Sequence, residues 1–376
     1  MPRKKIFFVV GTEFAVKVFL LTHLNKLSKY FDITVIVNTK NSHFLKQIGL
    51  DINIIPLKIS RKIHLFSDLS CFVKLIYIFL KERPDFIHSQ TPKAGILAML
   101  PGYLCRISVR IHNFTGQVWV NEHGFKRWML KTFDYLIGHL SPINIVDSHS
   151  QRNFLIKERV LCLEKTVVFG SGSISGVDLK KFKRSKKVFI EVRKEILIPE
   201  DGFIFIYVGR LNKDKGLLDL AKAFSLIGSK KAYLIIVGPD EGNYTKQIKR
   251  LSGKNRERLR LIGFSDKPYR YLAASNVLCL PSYREGFGSI IIEAAAIGLP
   301  AIASNIYGIK DAVLQQKTGL LHEPKDLQAI VQFMEFYLSN PKIVTSNGLA
   351  AKKRVIEKFD SELLSRYWLD FYLQHR

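Results

Sequence analysis

Residues 281–304 read PSYREGFGSIIIEAAAIGLPAIAS. A carboxylate, Glu285, stands in a loop, and Gly286, Phe287 and Gly288 open a helix. Free N–H groups at a helix N-terminus bind phosphate, and glycine lets a ligand come close to the backbone. Glu293 follows eight positions after Glu285, one or two turns into a helix that is otherwise apolar. A carboxylate in that setting is costly unless it has a partner. Carboxylates accept hydrogen bonds well from hydroxyls. The pair therefore fits a ligand with both phosphate and sugar groups, a nucleotide sugar, with one carboxylate near the hexose and one near a ribose. The plainer alternative is a capping Glu285 and a solvated Glu293.

Residues 208–216 read VGRLNKDKG after an apolar run. Gly209 allows a close turn, and Arg210 and Lys215 follow at the mouth of any site there. Two cations beside a turn and a helix start make a clamp for a diphosphate that leaves during a reaction. They are equally readable as solvated loop cations. GPD at 238–240 and Gly263–Phe264 also end strands. The backbone of Gly263–Phe264 could bond a base edge, but ordinary turn chemistry explains each glycine alone. In the first half, SQTPKAG at 89–95 offers Lys93 to an anionic acceptor, or simply to solvent. RIHNFTGQVW at 110–119 places His112 at the carboxyl end of a strand, where position alone favours a structural histidine.

These residues need strand-loop-helix units to hold them. Ile6–Val10, Ile33–Val37, Ile52–Ile55, Phe86–His88 and Val109–His112 are short apolar runs, as in strands buried on both faces. Helical spacing over Phe14–Tyr30, near His43–Ile48 and over about Ser67–Lys81 separates them. The basic stretch Phe182–Lys194 breaks the rhythm and reads as a linker. Alternation then restarts with Phe203–Val208, Tyr233–Val237, Leu259–Ile262, Val277–Leu280, Ala301–Ala303 and Gly319–Leu321. Such alternation implies right-handed βαβ units and parallel sheets. The expected fold is α/β, with two doubly wound Rossmann-like domains facing a cleft. The domains would be residues 1–185 and 186–345, with a further helix in 346–376.

The chain has 376 residues, which suits two domains. A hydrophobic content of 47% excludes disorder. The 58 Lys and Arg against 32 Asp and Glu give a net charge of +26, which calls for an anionic partner: nucleic acid, a membrane surface or a phosphorylated ligand. Cys71, Cys105, Cys162 and Cys279 lie far apart, so no zinc or redox spacing exists and a reducing cytosol is expected. The start, MPRKKIFFVVGTEF, lacks a cleavage site and reads as a first strand. No apolar stretch reaches the length of a membrane span. FKRWMLKTFDYLIG at 125–138 combines Lys126, Arg127 and Lys131 with Phe125, Trp128 and Met129, a pattern of interfacial helices that a plain domain helix also shows.

VGRLNKDKG, the GF dipeptide, REGFGSIIIE with its Glu-x7-Glu spacing, and GLPAIAS, in this order, resemble the retaining glycosyltransferases of the GT-B fold, in the large family numbered four. TPKAG, RIHNFTGQVW and VDSHSQRNFL look like its bacterial capsule, O-antigen and exopolysaccharide subgroup. By that resemblance Arg210 and Lys215 grip the donor diphosphate, Glu285 contacts the donor sugar, the Gly286–Gly288 amides lie near the phosphates and Glu293 binds the ribose. His112 becomes a functional histidine, with Thr115, Gly116 and Gln117 shaping the acceptor pocket and Ser148 and Gln151 structural. The turn after the first strand, GTEF, departs from the paired-glycine loop of many members. The resemblance implies a nucleotide-sugar donor bound by residues 186–345, a polyprenyl-diphosphate-linked acceptor bound by residues 1–185, a helix in 346–376 that returns to the first domain, and no cofactor. Without an Asp-x-Asp at a strand end, cations rather than a metal are expected to meet the leaving charge. Peripheral attachment to anionic lipids of the cytoplasmic leaflet is expected. A sugar-nucleotide epimerase, a phosphorylase-like enzyme and an inactive binding subunit are the alternatives. A nucleic-acid binder is disfavoured, because no recognised module accompanies the charge.

Overall fold

The computed structural model describes residues 3–60 and 64–375. Met1 and Pro2 of the basic start, and Arg376 of the terminal stretch, lie outside the described residues. The chain divides into two compact units, residues 1–175 with 361–376, and residues 176–360.

In the first unit, β1 (Lys5–Val10) leads through a short turn, α1 (Glu13–Ala15), and a π turn into α2 (Leu21–Leu27). Then come β2 (Asp32–Val37), β3 (Asn53–Pro56), α3 (Leu65–Glu82), β4 (Phe86–Gln90), α4 (Pro92–Leu104), β5 (Val109–Phe114), α5 (Gly124–Leu140), β6 (Ile143–Val146), α6 (His149–Lys157) and β7 (Thr166–Val167). The sheet is parallel with order β3-β2-β1-β4-β5-β6-β7. Helices cover both faces, which is why β1 is apolar at every position after Lys5. Ile6, Phe8 and Val10 face the core on the α2 side. Phe7 and Val9 face the core under α3 and α4.

The second unit runs α7 (Lys186–Glu195), β8 (Phe203–Val208), α8 (Leu217–Leu226), β9 (Ala232–Val237), α9 (Tyr244–Leu251), β10 (Leu259–Gly263), α10 (Pro268–Ala273) and β11 (Val277–Leu280). It continues with α11 (Ser289–Ile297), β12 (Ala301–Ser304), α12 (Ile309–Ala312), β13 (Gly319–His322), α13 (Leu327–Ser339) and α14 (Pro341–Lys358). Its parallel sheet has the order β10-β9-β8-β11-β12-β13. The last helix, α15 (Ser361–Gln374), belongs to the first unit. There Trp368 is buried and stacks on His23 at 4.3 Å and on His88 at 4.9 Å between ring centroids.

The basic stretch read as a linker folds in part into α7. Ser185 caps it by accepting from the Val188 amide at 3.4 Å. Val192 and Ile196, four apart, enter the core, with Val188 packed against it. Arg193 is buried, and its guanidinium donates to the carbonyls of Ala274, Pro199, Glu200 and Gly202. Dense charge therefore hid a helix whose apolar face is narrow. The helix expected near His43–Ile48 is a single 3-10 turn, Lys46–Ile48.

Candidate functional site

Ligands of open parallel sheets bind at the carboxyl ends of the strands, where the strand order reverses. In the second unit that point lies between β8 and β11. Their loops, 209–216 and 281–288, hold both sequence motifs. Gly216 has φ +63° and so faint a clearance from the Pro281 carbonyl that a Cβ would stand 2.0 Å from its oxygen. Only glycine permits this approach. It brings Lys215 Nζ to 2.6 Å from Glu285 Oε1, with side chains 16% and 14% exposed. Ser282 Oγ donates to the same oxygen at 2.9 Å. A second pair lies beside the first: Arg284 donates to Asp214 Oδ2 at 2.7 Å from Nη2 and 3.2 Å from Nε. The Tyr283 amide donates to the Asp214 carbonyl at 2.8 Å. The two loops are thus joined by two ion pairs of opposite polarity.

Arg210 is held from both ends. The buried Tyr207 hydroxyl donates to its carbonyl at 2.9 Å, and its guanidinium meets Glu241 at 3.1 Å. Gly209 and Gly238 touch backbone to backbone, since a Cβ on Gly238 would lie 1.9 Å from the Gly209 oxygen. The Gly238 amide donates to the Gly263 carbonyl at 2.7 Å. Phe264 beside it is 68% exposed. Asp240 of the GPD turn accepts from the amides of Gly242, Tyr244 and Thr245. Burial works to raise its pKa, and these amides prevail, holding it at about 2.

The α11 N-terminus follows Gly288, at φ +76°, and no side chain caps it. Its first-turn amides are thereby open to an anion. The Phe287 side chain is buried and packs on Phe359 at 5.4 Å, so only its backbone is left for a ligand. Glu293 is half-buried among the isoleucines and alanines of α11. Burial pushes its pKa up to about 7, opposed by Lys181. A cation just before the stretch read as a linker therefore acts on a candidate ribose ligand.

In the first unit the reversal lies between β1 and β4. Thr91, directly after β4, has φ +80°, a strained conformation for a β-branched residue. Lys93 is paired with Asp68 at 2.8 Å and donates to Ser60 at 3.2 Å. Ser89 of β4 and His112 of β5 are register partners, and Ser89 Oγ meets His112 Nδ1 at 2.7 Å. The ring stands edge-on to Phe114 at 4.7 Å, under Gly95 of α4, where a Cβ would come within 2.6 Å of it. Burial drives the His112 pKa down to about 3, so the imidazole is neutral. Gln117 is buried and donates to the Thr115 carbonyl at 2.6 Å. Gln151 donates to that carbonyl at 2.8 Å and to Gln117 Oε1 at 3.3 Å, and Ser148 caps α6. Thr115 and Gln117 are thus joined in one network, beside Gly116.

Asp214, Arg284, Glu241, Tyr207, Ser282 and Ser89 went unread in the sequence. The signal for the first two was the charge alternation in NKDKG and YREG, which matches acid to base once the loops meet. The others act through contacts across loops or strands, which spacing does not encode. No group of three or more metal-ligating side chains stands together among the described residues.

The family profile for "Glycosyl transferases group 1" matches residues 172–354, and that for "Glycosyl transferase 4-like" matches residues 5–136. The chain is 30% identical over 370 residues to the capsular polysaccharide biosynthesis glycosyltransferase CapM of Staphylococcus aureus, covering 97% of this chain and 95% of that protein. It is 26% identical over 306 residues, 80% of this chain and 78% of the relative, to the UDP-Gal:alpha-D-GlcNAc-diphosphoundecaprenol alpha-1,3-galactosyltransferase of Escherichia coli. The solved structure of Anabaena Alr3699/HepE in complex with UDP-glucose has the same fold, with a TM-score of 0.81 at 18% identity over 98% of this chain and 99% of that one. Two doubly wound sheets of seven and six strands, full-length likeness to CapM and both family profiles agree: the chain belongs to the group 1, family 4-like glycosyltransferases of the GT-B fold.

Proposed function

We propose that the chain moves a hexose-type sugar, with retention of anomeric configuration, from a nucleoside diphosphate sugar to a hydroxyl of a saccharide carried on polyprenyl diphosphate, in the assembly of a surface polysaccharide. The observation that carries this reading is the Lys215–Glu285 pair at the strand-order reversal of the second unit. It sets a cation for the diphosphate against a carboxylate for the sugar. The Escherichia coli relative, a UDP-Gal:alpha-D-GlcNAc-diphosphoundecaprenol alpha-1,3-galactosyltransferase, supports the class of donor and acceptor.

In this reading the donor diphosphate takes Lys215 from Glu285 and Arg210 from Glu241. Glu285 is then free to accept from donor-sugar hydroxyls. The open amides after Gly288 add to the phosphate site, Glu293 accepts from the ribose, and the backbone at Gly263–Phe264 meets the base. The bond from the sugar C1 to the phosphate oxygen breaks, and its electron pair leaves on the diphosphate. The acceptor oxygen attacks on the same face, and its proton passes to the departing phosphate oxygen. Arg210, Lys215 and the α11 amides stabilise the charge that develops there, so no metal or cofactor is required. Neutral His112 orients the sugar or acceptor hydroxyl by hydrogen bonding, with its ring fixed by Ser89. Thr115, Gly116 and Gln117 shape the acceptor pocket, and Lys93 serves it through Asp68. The enzyme works at the cytoplasmic face of the inner membrane as a peripheral protein, attracted to anionic lipids. Among the described residues no helix is long and apolar enough to cross a membrane. A panel of UDP-, GDP- and ADP-sugars tests the proposal. One donor should be bound and slowly hydrolysed without acceptor, and failure with every donor would reject it.

A further inference from the structure

The helices α3, α4 and α5 form one layer on a single face of the first sheet, with α4 packed against both neighbours. α3 buries only Cys71, Leu75 and Phe79 into that core. Its outer side is also apolar: Leu65, Phe66, Leu69, Val73, Tyr77 and Leu80 are all exposed, Phe66 by 92% and Leu65 by 80%. They recur at three- and four-residue intervals and make one stripe along the whole helix. A domain helix needs an apolar stripe on one side, and a second on the opposite side calls for another partner.

The charge around the stripe says which partner. Lys74 and Lys81 of α3 are exposed along its flank, between the outer stripe and the core side. The helix carboxylates are taken: Asp68 pairs with Lys93 and Glu82 with Lys5. α4 carries no acid, and Asp134 of α5 is buried beneath the Trp119 indole, which donates to it at 2.7 Å. The layer is therefore apolar and basic, with no free carboxylate among its described residues. A second copy of the chain would bring like charges together at a net charge of +26. An anionic bilayer complements both properties.

α5, whose sequence fits an interfacial helix and a plain domain helix alike, contributes less charge than its composition suggests. Arg127 and Lys131 both pair with Glu158, at 3.2 and 2.7 Å, and lie over the buried Trp119 ring. Lys126 pairs with Glu122 at 2.9 Å. The most exposed apolar side chains of α5 are Phe125 and Trp128, stacked at 5.6 Å.

We infer that α3 is the principal membrane-docking element: its outer stripe, Leu65 to Leu80, inserts into the interfacial zone of an anionic leaflet, with Lys74 and Lys81 at the headgroups and Phe125 and Trp128 of α5 as a secondary anchor. The inference rests on the lipid-linked acceptor proposed above, and it assigns the docking to apolar insertion as well as to charge. Salt then weakens binding without abolishing it, because insertion is not screened.

The test uses the full chain and sedimentation with vesicles of phosphatidylethanolamine containing phosphatidylglycerol. Each large apolar side chain moved out of water is worth about tenfold in partitioning. The double substitution Leu69→Glu, Val73→Glu should lower vesicle binding by about a hundredfold or more, while UDP binding and transfer to a water-soluble acceptor stay unchanged. Phe125→Glu, Trp128→Glu should lower it by a smaller factor. Unchanged vesicle binding in the α3 variant overturns the inference, as does a concentration-dependent dimer of the wild type that the same substitutions abolish. Loss of soluble-acceptor transfer in the wild type would instead refute the proposed function and leave the docking result to be read by itself. Should the double variant not fold, Tyr77→Trp in a Trp128→Phe background gives an independent readout. Buried Trp119 and Trp368 still emit in the Trp128→Phe parent, so the readout is the emission added at position 77: brominated acyl chains should quench it, and added emission that they leave unquenched rejects insertion.

Discussion

The Lys215–Glu285 pair offers a quantitative double-mutant cycle. At 2.6 Å, two unit charges attract by about 6 kcal/mol at an effective dielectric of about 20. Desolvation offsets much of this, because both side chains are largely buried. Lys215→Met leaves a buried carboxylate with only Ser282 as partner, and Glu285→Gln leaves a buried ammonium without its counter-charge. Each should cost about 3 kcal/mol, or a fall of about 6–12 °C in the unfolding midpoint of a unit this size. The double variant removes both charges and should cost about 2–3 kcal/mol less than the sum of the singles. Turnover should behave differently. Each single variant should lose about 10²–10³ in kcat, and the double variant should recover none of it, because the donor still lacks both groups. Thermal unfolding of the four proteins and single-turnover transfer provide the two readouts. Additive stability effects, with coupling below about 0.5 kcal/mol, would show that the pair is not formed. Folded single variants with near-normal turnover would refute the roles proposed for the pair.

Three further expectations follow from the geometry. Gly216→Ala places a Cβ 2.0 Å from the Pro281 oxygen at φ +63°, so it should destabilise the second unit by about 1–3 kcal/mol and lower kcat, and a normal melting midpoint would contradict the close approach. The first unit should lose stability on acidification: burial lowers the pKa of His23 to about 4 and of His88 and His112 to about 3, so below pH 6.5 the unfolded chain binds protons that the folded chain does not. Asp134, raised to about 7 by burial, opposes them with one proton, leaving a net uptake of about two and a fall of about 2–3 kcal/mol per pH unit between about pH 6 and 4.5; a flat unfolding midpoint across that window would refute it. Turnover with a chelator present should match that without one, since Arg210 and Lys215 are assigned the leaving charge, and loss of activity reversed by added Mg²⁺ or Mn²⁺ would refute the assignment.

The strand-loop-helix alternation was legible because both sheets are covered on each face. Strand segments such as IFFVV and FIFIYV are therefore continuous apolar runs that periodicity detects. The loops at their carboxyl ends then marked Arg210, Lys215 and Glu285 by chain position. What resisted reading depends on contacts distant in sequence. Asp214 meets Arg284 across 70 positions, and His112 is held neutral by burial and by His88, with its ring fixed by Ser89 from the neighbouring strand. α7 escaped because its face, Val188, Val192 and Ile196, lies among lysines and arginines. The α5 segment shows the opposite failure. Its cations were visible, but their engagement by Glu158 and Glu122 was not, and helical spacing alone did not separate the exposed stripe of α3 from its core-facing one.

The stereochemistry of transfer tests the central claim most directly. The purified chain would be supplied with the nucleotide sugar it hydrolyses and with a saccharide on polyprenyl diphosphate, and the anomeric coupling constant of the new linkage measured by NMR. Retention predicts that an α-linked donor gives an α-linked product, formed by wild type and lost in Glu285→Gln and His112→Ala variants that remain folded. A β-linked product, or equal transfer by those variants, would contradict the account.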